Sequence, residues 1–128
     1  MTMIKNMKKI LTNDKYILKG KKVVECHDLL EWGKWFDTAN RIVKQDTLKN
    51  GLFVSTVFLG LDHNFLGVLG KGKPILFETI VFTPKRKRKI FGRKMMIGDE
   101  LDQNRYHTWA ESERGHKKMV KRWEGWKK

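Results

Sequence analysis

A chain of 128 residues with 40% hydrophobic content, five Trp and seven Phe has apolar side chains enough for one modest core, which excludes disorder of the whole chain. Its single cysteine, Cys26, excludes an intrachain disulfide framework and a multi-cysteine metal knuckle, and reads as a small buried hydrophobe. The net charge of +14 is the electrostatic footprint expected for polyanion partners, or, at the two termini, of lysine-rich ends that keep a small domain soluble.

That charge is segregated. Residues 1–22 hold seven Lys against Asp14, a net +6; residues 84–94 hold seven bases and no acid, +7; residues 117–128 hold six bases against Glu124, +5. The rest of the chain is therefore −4, a mildly acidic domain with basic appendages. No run approaches the ~18 apolar residues that cross a bilayer, and the N-terminal lysines are not followed by an apolar stretch of signal-peptide length. The expectation is a soluble protein of a reducing, cytoplasmic compartment with no membrane partner.

In chain order, residues 1–14 read as a basic N-terminal arm without periodicity, and residues 15–123 as one α+β domain. Tyr16-Ile17-Leu18, Gly20 and Val23-Val24 predict a short hairpin turning near Lys19–Lys21. Asp28 and Glu31 have capping-box spacing, and Leu29, Trp32, Phe36, Ala39 and Val43 recur at helical intervals, predicting a helix over about 29–40. Arg41–Gln45 fits either an extension of that helix or a strand. Residues 52–61 and 75–83, rich in β-branched and aromatic side chains, predict two antiparallel strands of a long hairpin, with Val57 and Phe77 buried. Gly67, Gly70 and Gly72, with Lys71 and Lys73, lie in the connection. They lack the Gly-Lys-Ser/Thr ending of a phosphate loop and read as a hairpin tip. Pro84 ends the second strand, and a basic insertion follows to about residue 98. Its five adjacent like charges are expected to resist ordering without a partner. Thr108-Trp109-Ala110-Glu111 caps a second helix to about 123, with Trp109, His116, Val120 and Trp123 on one stripe and Arg114, Lys117, Lys118 and Lys121 on the other side. Residues 124–128 form a basic tail.

Four strings carry a resemblance: Trp32-Gly-Lys-Trp-Phe-Asp-Thr-Ala-Asn-Arg41, Ser55-Thr-Val-Phe-Leu-Gly-Leu-Asp-His-Asn-Phe65, Leu76-Phe-Glu-Thr-Ile-Val-Phe82, and Thr108-Trp-Ala-Glu with Gly115-His116. Together they resemble a family of short, uncharacterised proteins of phage and prophage genomes, over roughly residues 16–118. The resemblance implies a viral or mobile-element origin, hence a host-cell cytoplasmic location, and carries no activity. In that family the segment after Phe82 is short and not basic, so the basic segments are particular to this chain.

Candidate chemistry is sparse. Asp62, His63 and Glu78 are the weak candidates for acid–base work, and His107 and His116 could add metal ligands only by long-range folding. Asp62 and Asn64 are ordinary turn formers, and Glu78, among apolar neighbours, calls for an ion-pair partner such as Arg41, Arg105 or His116. The Trp residues of the helices belong to the core, whereas Trp126 suits either base stacking or packing as an anchor. The reading is a non-enzymatic, phage-type accessory protein with no cofactor or metal. It binds nucleic acid with little sequence dependence through Lys85, Arg86, Lys87, Arg88, Lys89, Arg93, Lys94, Lys117, Lys118, Lys121 and Arg122. The rival is an anti-defence inhibitor, of the anti-CRISPR kind, directed at a host defence protein or ribonucleoprotein.

Overall fold

The computed structural model describes residues 13–64 and 72–127. Most of the basic N-terminal arm, and Gly67, Gly70 and Lys71 of the glycine-rich connection, lie outside them. The fold is α+β and its sheets are antiparallel. Strands β1 (Tyr16–Lys19) and β2 (Lys22–Glu25) form a hairpin, followed by helix α1 (Leu29–Thr38). Then come β3 (Ile42–Thr47), β4 (Phe53–Phe58), β5 (Phe77–Phe82), β6 (Arg86–Ile90), β7 (Arg93–Ile97), β8 (Glu100–Tyr106) and helix α2 (Trp109–Trp123). The main sheet has the order β3-β4-β5-β8.

Alternation along β4 and β5 decides the core. Val54, Thr56 and Phe58 stand opposite Val81, Thr79 and Phe77, and all six side chains are buried on one face. Helix α2 covers that face: Met119 joins Leu52, Val54 and Val81 in one cluster. At the other end Phe58, Phe77, Leu76 and Tyr106 are closed over by the β1–β2 hairpin, by Trp35 of α1 and by Trp109. Phe77 is buried as expected. Val57 is not: it points to the opposite face, where Phe53, Ser55, Val57, Ile80 and Phe82 are half-buried, with Phe53 stacked on Phe82 at 6.4 Å.

Both capping boxes fold as caps. Asp28 Oδ1 accepts from the Leu30 and Glu31 N–H groups at 2.9 and 3.1 Å, and Thr108 Oγ1 from the Glu111 N–H at 3.1 Å. Helix α1 ends at Thr38 rather than about 40, because Ala39 is extended and Asn40 Oδ1 turns the chain by accepting from the Ile42 N–H at 3.0 Å. Arg41–Gln45 therefore leads into a strand. Leu29, expected on the apolar stripe, is exposed; the helix is held instead through Trp32, whose indole N–H is shared between the Tyr16 and Gly60 carbonyls at 3.0 and 3.1 Å.

In α2 the buried stripe is Ser112, Gly115, His116 and Met119, so the helix is rotated from the expected phase, with Trp109, Val120 and Trp123 on its half-buried flanks. Gly115 explains the rotation. A Cβ there would overlap the Tyr106 ring, so only glycine lets the helix lie this close to the sheet.

The basic insertion is ordered. Chain leaving β5 runs through Thr83–Lys85 into β6, turns, and returns along β7 through Gly98–Asp99 into β8, so β6–β7 continues the β5–β8 pair as a two-stranded ribbon. The junction is held by Thr83 N–H to Asp99 O at 2.8 Å and Asp99 N–H to Thr83 Oγ1 at 2.7 Å. Pro84 lacks a donor there, and Gly98 sits so close to the Thr83 carbonyl that no Cβ fits, which separates the ribbon's ladder from the main sheet.

Candidate nucleic-acid interface

The register of the ribbon pairs Lys87 with Met96 and Lys89 with Lys94 on one face, and Arg86 with Ile97, Arg88 with Met95 and Ile90 with Arg93 on the other. Cations thus stand on both faces. Asp99 binds two of them, Arg86 at 3.0 Å and Arg88 at 2.8 Å, and the hydrogen bond from Arg86 leads in holding its carboxyl below the ordinary carboxylate range. Lys87, Lys89, Arg93 and Lys94 are exposed and have no carboxylate partner among the described residues. Lys89 and Lys94 face each other directly, a like-charge pair that destabilises an isolated hairpin and is relieved by an anion.

The tip is unusual. Phe91 and Gly92 are the two turn residues, with φ of 49° and 76°, the sign pattern of the tight hairpin turn that favours Asn-Gly. A phenylalanine in this left-handed region costs about 1–2 kcal/mol relative to glycine. Its side chain is 101% exposed, so no packing within the described chain offsets that cost.

The remaining bases divide. Lys85, Arg86, Trp126 and Lys127 line one cleft at the base of the ribbon, bringing the C-terminal tail to the insertion. Trp126 is an anchor here: it packs on Trp123 at 6.4 Å, and Asn50 Nδ2 donates to the Trp123 and Trp126 carbonyls at 2.8 and 3.0 Å. Lys117, Lys118 and Lys121 are exposed along α2, whereas Arg122 is tied to Asp102 at 2.9 Å. The lysines of the β1–β2 turn sit at the opposite end of α2, where Lys21 approaches Glu113 at 3.9 Å and lies over Trp109 at 5.8 Å. Among the described residues, the lysines of the β1–β2 turn therefore lie apart from the cations at the base of the ribbon.

Asp62, His63 and Glu78 do not converge. Asp62 Oδ1 accepts from the Asn64 and Ile75 N–H groups at 2.7 and 2.9 Å, shaping the loop, and His63 is exposed. Glu78 finds its partner in Arg105 at 2.8 Å, on the sheet face away from α2. His107 meets the Pro74 carbonyl at 2.9 Å. Among the described residues no three His, Cys, Asp or Glu side chains are grouped to hold a metal.

A different chain of polar groups lies under α2. Asp46 Oδ2 is 2.7 Å from His116 Nε2, His116 Nδ1 is 2.7 Å from Thr56 Oγ1, and Thr56 Oγ1 is 2.5 Å from Thr79 Oγ1. With Asp46 accepting from Nε2–H, a neutral ring leaves Nδ1 to accept the Thr56 proton, and Thr79 then donates to Thr56. The order acid–imidazole–hydroxyl is that of an activated nucleophile. Yet Thr56 and Thr79 are 0% and His116 1% exposed, so no substrate reaches the hydroxyl, and the chain serves to clamp α2 onto β3, β4 and β5. The sequence places His116 in the core but does not single out Asp46, Thr56 and Thr79; the signal for them is two hydroxyl residues on facing apolar strands.

Asp102 fixes the far end of α2. It accepts from Trp123 Nε1 and Arg122 at 2.9 Å each, and from the neighbouring Gln103 N–H at 2.9 Å. The Trp123 hydrogen bond leads in lowering its pKa. A depressed carboxylate contributes stability above its unfolded pKa and loses it as pH falls through the folded value. Asp102→Asn is expected to cost about 1 kcal/mol at pH 7, since Arg122 is largely exposed. In thermal melts the gap to the parent should narrow as pH falls below the ordinary carboxylate range; a gap unchanged by acid would contradict this role of the charge.

No family model matches this chain, and neither a curated protein nor a solved structure matches it.

Proposed function

We propose that this is a phage-type accessory protein that binds nucleic acid through the β6–β7 ribbon, largely without regard to sequence. The observation that supports it is a projecting two-stranded ribbon with four exposed cations lacking carboxylate partners among the described residues, extended at its base by Lys85 and Lys127. A two-stranded ribbon is an element that proteins place in the major or the minor groove of a duplex. Lysine and arginine on both of its faces supply phosphate contacts whose strength comes from released counterions. Such contacts set position and carry no base readout. The lysines of α2 and of the β1–β2 turn add a general positive field rather than contacts in the same groove.

The test is recovery from lysate with and without nuclease. The tagged parent should bring down nucleic acid that nuclease removes, and replacing Lys87, Lys89, Arg93 and Lys94 with Ser should abolish that recovery. A stoichiometric protein retained after nuclease, with no nucleic acid recovered before it, would contradict the reading and favour a protein target.

A further inference from the structure

We infer that the nucleic acid is duplex DNA, and that Phe91 is a wedge by which the ribbon kinks it. This rests on the ribbon being a nucleic-acid contact and adds the class of partner and the deformation imposed. Phe91 is fully exposed at the outermost point of the ribbon, beside Gly92, in a backbone conformation that disfavours a bulky residue. An aromatic is held there against both solvation and backbone preference, which is the signature of a functional position. Immediately behind it stand Arg93 and the facing pair Lys89 and Lys94, cations on both faces of the ribbon.

That arrangement matches the chemistry of a wedge. An apolar side chain inserted at a base step unstacks it, and cations on either side take the phosphates of the two strands as the backbone opens around it. Wedges of this kind enter from the minor groove and bend the duplex by about 20–90°. A ribbon of five residues per strand, spanning roughly 17 Å, is long enough to place the tip at the base stack while Lys87 stays at the backbone. Duplex RNA fits poorly, because its wide, shallow minor groove does not bring the two backbones to both faces of a ribbon. A single strand could stack on Phe91 but has no base stack to kink.

Energy transfer between dyes at the two ends of a duplex of roughly 30 base pairs reads the bend directly. The parent should raise the transfer on binding. Phe91→Ala should still bind but give no rise, and Phe91→Leu should restore it. Because Phe91 packs on nothing in the described chain, these variants should melt with the parent. Equal bending by Phe91→Ala, binding by the parent without bending, or tighter binding to the single strand would each overturn the wedge while leaving the ribbon as the contact. No binding by the parent to any of these probes would remove both.

Discussion

His116→Ala is expected to destabilise the fold by about 3–5 kcal/mol, a large share of the roughly 5–15 kcal/mol that holds a domain of this size. Two costs add. The imidazole fills space between α2 and the sheet, and truncation leaves a cavity under Gly115 and Met119. It also takes the His116 acceptor from the Thr56 hydroxyl, which at 0% exposure is left with Thr79, and leaves the Asp46 carboxylate without its partner. The clamp joins residues far apart in sequence, so its removal should free α2 as a unit. Urea unfolding of parent and variant checks this. A midpoint shift corresponding to less than about 1 kcal/mol would mean the polar chain is a bystander. Below its own melting temperature the variant should bind nucleic acid as the parent does, since His116 lies under the helix and not on the ribbon.

The strands of the main hairpin are legible because Phe53–Phe58 and Phe77–Phe82 combine β-branched and aromatic residues with an intervening loop, and both helix starts are legible from their caps. Strand β8 is not. Glu100-Leu-Asp-Gln-Asn-Arg-Tyr106 is polar at five of its seven positions, as suits an edge strand, and its pairing with β5 comes from the ladder rather than from composition. The phase of α2 escapes the pattern because the residues nearest the sheet, Ser112 and Gly115, are small and carry no apolar signal. The ribbon departs furthest from expectation. Consecutive bases from Lys85 to Lys89 read as a repelling, unordered run, but order reaches them from outside the segment. Beyond the register shift at Val81 and Phe82, the Thr83–Asp99 hydrogen bonds keep the two chains side by side, Asp99 draws in Arg86 and Arg88, and Ile90 and Ile97 give each end an apolar member. Phe91-Gly92 hides the turn, since the Asn or Asp that signals such a hairpin is absent.

Replacing Lys87, Lys89, Arg93 and Lys94 with Ser is expected to weaken binding to an arbitrary duplex by about 10²–10³-fold near 0.1 M salt. All four are exposed, and Arg86 and Arg88 stay in place with Asp99, so the ribbon should remain folded and the melting temperature unchanged. Each phosphate left without its cation should reduce the log–log salt slope by about 0.9, so four should remove about 3.6. The weakening should be equal on unrelated sequences, because phosphate contacts do not read bases. The deciding measurement is the salt dependence of affinity for parent and variant on two unrelated duplexes. A steep parental slope, alike on both sequences and flattened by the four substitutions, is the expected result. An identical slope for parent and variant, or no binding by the parent at low salt, would contradict the assignment of nucleic-acid binding to the ribbon.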